Sequence, residues 1–125
     1  MIVNEDAKIV QKTDNSGLTI SEMSERAFQN SANHGFHDEP VAFSTRLMLI
    51  VSELAEAMEE ERSGRPLNET YFSGNGKPEG VPAELADVII RVGDLAHIYG
   101  IDLAAAVEQK MKYNESRPHK HGKAF

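Results

Sequence analysis

No cysteine occurs anywhere in the chain. That excludes disulfides and thiolate metal ligands, removes the thiol as a nucleophile, and accords with a cytosolic protein. Long apolar runs are also missing: none approaches the roughly 20 residues a membrane-spanning helix needs. Asn4, Glu5, Asp6 and Lys8 break up the start of the chain, where a targeting segment would be apolar, so a cytoplasmic location with no membrane partner is expected. Positive charge is in deficit. Lys and Arg number 13 against 20 Asp and Glu, a formal net charge of −7, with a pI near 5.2. This is the reverse of the basic footprint by which proteins hold nucleic acid. Neither a G-x-S-x-G elbow nor a P-loop is present. No segment alternates as a strand should, and no internal repeat occurs.

What is present is helical periodicity in a chain of 125 residues, the size of one domain. The spacing predicts an all-α fold of four helices, at about 19–33, 41–63, 82–99 and 102–115. Thr19 or Ser21 opens the first, and Asn33-His34-Gly35 closes it as a glycine cap. Leu47, Ile50, Val51, Leu54 and Met58 recur as one buried stripe of the second helix. Pro82 starts the third, whose core stripe reads Leu85, Val88, Val92, Leu95 and Tyr99. Asp102 caps the fourth. Residues 1–18 read as a tail or docking segment, 19–117 as the helical domain and 118–125 as a basic tail. Residues 63–80, rich in Gly and Pro, read as a long flexible connection.

The chemistry lies in acids placed where acids need a reason to be. Glu53-x-x-Glu56 and Glu84-x-x-Asp87 each sit within an apolar helical stretch. An i,i+3 spacing points both side chains to nearly one face. Two such helices side by side bring four carboxylates together, which repel unless hard cations lie between them. A solvated acidic face is the alternative, yet no lysine at i+4 neutralises Glu53, Glu56 or Glu84. Oxygen-only donors suit Mg²⁺, with Mn²⁺ as substitute, rather than iron or zinc. Magnesium shares itself with substrate phosphates, so a polyphosphate is the natural guest. Arg91, in the acidic row of the third helix, reads as a partner of Asp94 or Asp87. Lys110, Asn114 and Arg117 fall on one side of the fourth helix and its exit. They serve either to hold phosphate oxygens or to offset the helix dipole.

These residues carry a resemblance. Glu53-x-x-Glu56 followed by Glu84-x-x-Asp87 resembles the signature of the MazG-like all-α nucleoside triphosphate pyrophosphohydrolases. So do Gly35-Phe36-His37, Glu84-Leu-Ala-Asp87-Val-Ile-Ile-Arg91 with Asp94, Lys110-x-x-Tyr113-Asn114-x-x-Arg117-Pro118, and His121-Gly122-Lys123. The likeness covers about residues 21–123. It implies a four-helix bundle of that type and hydrolysis of a nucleoside triphosphate, often a deoxynucleotide, to monophosphate and pyrophosphate, a housecleaning of the nucleotide pool. It implies Mg²⁺ on Glu53, Glu56, Glu84 and Asp87, and a homodimer or homotetramer with sites near subunit interfaces. Lys110, Tyr113, Asn114 and Arg117 would meet phosphates or sugar, and Phe36 and His37 would lie near the base. Several relatives carry a glutamate directly before the first acid, where this chain has Ser52. The water-activating base therefore falls to Glu53, Glu56 or Glu60. Two other readings stand beside this one: a catalytically silent helical nucleotide-binding or regulatory protein, and a pyrophosphohydrolase acting on a phosphoribosyl nucleotide.

Overall fold

The computed structural model describes residues 17–124, so the expected tail over residues 1–18 lies almost wholly outside it. The elements run α1 (Ile20–Asn33), α2 (Phe43–Arg62), β1 (Tyr71–Phe72), β2 (Pro78–Glu79), α3 (Val81–Ile98) and α4 (Leu103–Glu115), followed by a 3₁₀ turn over His119–Gly122. The protein is mostly helical, and α1, α3 and α4 begin on local chemistry. At α1, the Thr19 hydroxyl accepts from Glu22 N at 3.0 Å and the Glu22 carboxylate accepts from Thr19 N at 2.9 Å, a reciprocal cap. At α4, Asp102 accepts from Ala105 N at 3.0 Å. Pro82 sits in the first turn of α3, where its missing N–H goes unnoticed.

The connection over residues 63–80 is folded rather than flexible. Its two short strands pair antiparallel, Tyr71 with Glu79 and Phe72 with Pro78. Ser73 N donates to Lys77 O across the turn at 3.0 Å. The Tyr71 hydroxyl donates to both oxygens of Glu60 on α2, at 2.9 and 3.1 Å, and the Arg65 guanidinium lies 3.6 Å over the Tyr71 ring. Gly80 joins the hairpin to α3 at φ +110°, and a Cβ there would collide with the carbonyl oxygen of Glu69. Strands this short leave no alternation to read, so only the contact with α2 reveals them.

Helix α3 is the middle of the molecule, packed by α1 on one side and α2 on the other, while α4 rests on α1. The α1–α3 crossing is built from small residues. Ala27 and Ala96 are buried, and the Ser24 hydroxyl donates to the Gly93 carbonyl at 2.5 Å. Small side chains let the two backbones approach, and the Ser24 bond satisfies a polar group that the approach buries.

The α2–α3 contact departs from the expected core. Along α2 the half-buried residues are Arg46, Ile50, Glu53, Ala57 and Glu60, one stripe two turns wide in repeat. Of the apolar stripe that periodicity selects, Leu47 (42% exposed), Val51 (47%), Leu54 (47%) and Met58 (57%) face away from α3; only Ile50 reaches it. On α3, Val88, Val92 and Leu95 are half-buried while Leu85 and Tyr99 are exposed. The two stripes of α2 lie roughly 100° apart around the helix. Periodicity selects the apolar stripe, but which stripe meets α3 depends on the partner.

Candidate metal centre and its cleft

Because α2 turns its acidic flank inward, carboxylates from both helices meet. Oxygen atoms of Glu53, Glu84 and Asp87 come within 4.8 Å of one another. Glu84 is 9% exposed, and its carboxylate carries no hydrogen bond or ion pair among the described residues. Burial raises its pKa, and the neighbouring charges of Asp87, Glu53 and Glu56 push the same way, against a smaller lowering by Lys77. Asp87 is raised by burial and by Glu53, against Arg91 and Lys77. A buried, unpaired carboxylate beside two more is an arrangement that a hard cation would stabilise. The donors are all oxygen, which fits Mg²⁺ or Mn²⁺.

Of the four expected ligands, three therefore come together. Glu56 is exposed and stands outside that grouping, though close enough for its charge to act on Glu84. Arg91 does not pair with Asp94 or Asp87. Its Nε donates to Glu53 Oε2 at 2.7 Å, tying α3 to α2 across the site. Asp94 is engaged elsewhere: Oδ2 accepts from the Ser31 hydroxyl at 2.9 Å, and His37 Nε2 lies 3.0 Å from Oδ1. Ser52 donates to the Leu49 carbonyl at 2.6 Å, within its own helix. A second grouping, Glu60, Glu79 and Glu84, adjoins the first through Glu84. Glu79 was invisible to periodicity because it arrives on the hairpin.

Glu53 and Asp87 open onto a cleft of about 430 Å³, the size of a small-molecule site. Phe36, Val41, Leu49 and Ile90 form its apolar walls, and Asn30 and Ser31 give a polar edge. Glu53, Asp87 and Asp94 line it together with two cations, Arg46 and Arg91. Phe36, 70% exposed, stands in this lining. His37 does not; its ring stacks on Phe28 at 4.9 Å and lines a neighbouring hollow. Lys110, Tyr113, Asn114 and Arg117 are all on α4 or its exit and line none of this cleft. Lys110 and Arg117 gather instead about the Tyr113 ring, at 5.2 and 5.5 Å. A separate hollow of about 570 Å³ along α1, lined by Leu18, Met23 and Arg26, holds none of the clustered acids. Arg46 was legible in principle. It precedes Glu53 by seven residues, two helical turns, and so shares its face.

Comparison of the chain with protein-family models, with curated proteins and with solved structures gave no match.

Proposed function

We propose that the protein is a Mg²⁺-dependent nucleoside triphosphate pyrophosphohydrolase. It cleaves the bond between the α-phosphorus and the bridging oxygen, releasing nucleoside monophosphate and pyrophosphate, a reaction suited to clearing deoxynucleotides from the pool. The observation that carries the reading is the meeting of the buried Glu84 with Glu53 and Asp87, the last two of which line a nucleotide-sized cleft. The resemblance of the two acidic motifs to the MazG-like pyrophosphohydrolases adds the substrate class.

Glu53, Glu84 and Asp87 would hold the cation, and Glu56 lies one turn beyond Glu53 on the same helix. When bound, the cation neutralises phosphate charge and lowers the pKa of water at the site. Arg91 keeps Glu53 in place through the 2.7 Å bond and prevents its rotation away from Asp87. Glu56, exposed and without a bonded partner among the described residues, accepts the proton of the attacking water.

The cations of α4 line none of the cleft in one chain; a second protomer would bring them to it, and the outward face of α2 supplies the means of association. Leu47, Val51, Leu54 and Met58 form a seam spaced four, three and four residues apart, the repeat of helices that pair along their length. Two acids, Glu59 and Glu61, stand at the C-terminal end of this seam. An antiparallel pairing with a second copy keeps the acids of the two chains apart.

The test is a panel of the eight common NTPs and dNTPs with Mg²⁺, Mn²⁺ or EDTA, resolving monophosphate plus pyrophosphate from diphosphate plus phosphate. EDTA-sensitive monophosphate and pyrophosphate is the expected result. Binding with no turnover would instead identify a silent nucleotide-binding protein, and turnover confined to phosphoribosyl nucleotides would redirect the substrate. Glu53→Gln and Asp87→Asn are each expected to cut kcat by more than about a hundredfold while the helical content is kept.

A further inference from the structure

We infer that Arg46 is a phosphate-binding residue of the cleft, holding the oxyanion that the carboxylate-bound cation leaves uncovered. Its Nε is fully buried and has no hydrogen-bond partner, and no ion pair to Arg46 exists among the described residues. In a chain of net charge −7 that isolation is unexpected, because guanidinium groups buried among carboxylates normally take one.

The surrounding acids explain why it has none. Asp94 gives one oxygen to Ser31 and the other to His37, and Glu53 gives Oε2 to Arg91. Asp94 is thus committed, as is one oxygen of Glu53, and Arg46 lines the cleft with no acceptor for its shielded Nε–H and no ion pair among the described residues. Nothing in the protein removes either cost. Glu53, Asp87 and Asp94 against Arg46 and Arg91 leave the lining slightly negative, and with Glu84 counted as a ligand one divalent cation brings the sum to neutrality. The cation and Arg46 are then two separate positive ends of the cleft, and the outer Nη–H groups of the guanidinium, which are not shielded as Nε is, match two oxygens of one phosphate. Arg46 stands two turns, roughly 10 Å, along α2 from Glu53, a span that a flexible arginine and an adjacent phosphate close between them. The polarity of the cleft follows: cation at Glu53, Glu84 and Asp87, and the remote phosphate toward Phe36 and Val41. This deepens the proposed reading, and rests on it for the identity of the compound that carries the phosphate.

The experiment is titration calorimetry with inorganic pyrophosphate in the presence of Mg²⁺ on wild type, Arg46→Lys and Arg46→Gln. Melting curves with Mg²⁺ alone and with an uncharged nucleoside accompany it. Arg46→Gln is expected to weaken pyrophosphate binding roughly ten- to a hundredfold, the loss typical of a charge-assisted bond. Arg46→Lys should fall between, and the Mg²⁺-induced rise in Tm should persist in both. In the wild-type protein, which needs no variant to fold, the Arg46 Nε–H proton resonance should move downfield on addition of pyrophosphate. Pyrophosphate affinity within twofold of wild type in Arg46→Gln, or an unmoved Nε–H resonance, overturns the inference. Loss of nucleoside binding with pyrophosphate unaffected also overturns it, and assigns Arg46 to the base. The two readings fail separately. Nucleotide turnover with Arg46 unresponsive leaves the hydrolase without this contact. Pyrophosphate captured by Arg46 without nucleotide turnover leaves the contact without the hydrolase.

Discussion

Glu84 and Asp87 bear most directly on stability as well as on function. Both have pKa values raised above the ordinary carboxylate range by burial and by neighbouring acids. A group whose folded pKa exceeds its unfolded pKa binds protons better in the native state. Stability is then full below the unfolded value and is lost as pH rises through the folded one. In EDTA, the contribution of these two residues should make Tm fall as pH is raised from about 4 toward neutrality. Glu84→Gln should flatten that slope and raise the neutral-pH, metal-free Tm by a few degrees. With Mg²⁺ the wild-type slope should reverse, because cation and proton compete for the same oxygens. Melting curves across pH with and without Mg²⁺ check all three. A Glu84→Gln protein that is less stable than wild type in EDTA would mean that Glu84 is structural. None of this could be read from Glu84 as a letter. Its neighbours in the motif were legible, but its burial and lack of partners depend on how closely α2 approaches α3.

The elements show why four helices were legible and a hairpin was not. Helix ends are set by groups within a few residues: the Thr19–Glu22 cap, Gly35 at φ +84° beyond α1, Pro82 in the first turn of α3 and the Asp102 cap. The hairpin is set by Tyr71 and Glu60, eleven residues apart, and by Glu69 against Gly80. Tyr71→Phe removes both bonds to Glu60. Hydrogen exchange at the amide of Ser73, which is bonded to Lys77 O, should quicken about tenfold, and protection in α1 should be unchanged. The α1–α3 crossing gives a second element-scale prediction. A Cβ at Gly93 would lie 2.9 Å from Met23 Cε and 3.1 Å from Ser24 Cα. The methionine can swing aside but the backbone cannot. Gly93→Val should cost about 1–3 kcal/mol in urea unfolding, the range for overpacked cores. A neutral result would show that α1 shifts freely along α3.

At the scale of the whole molecule, the outstanding fact is how little apolar surface one chain covers. Ala27 and Ala96 are its only buried apolar side chains among the described residues, while Leu47, Val51, Leu54 and Met58 face outward. A seam of that length left in water is a mark of association. Sedimentation velocity should find a species of at least two chains, and Leu54→Glu should shift it to monomer and lower Tm by several degrees. A wild-type monomer at micromolar concentration would sink the second-copy proposal. No helix among the described residues is long and apolar enough to cross a membrane.

The sequence by itself determined the helices, their order, and the acids worth watching, because periodicity, caps and motif spacing are properties of residues within a turn or two of one another. Tertiary structure alone decided which stripe of α2 is inside, that Arg91 holds Glu53 rather than Asp94, that Glu56 stands apart from the other three acids, and that Arg46 is left without a partner. Each of these depends on the rotation of one helix against another. A helix with two usable faces carries no internal preference between them, so the choice belongs to whatever packs against it.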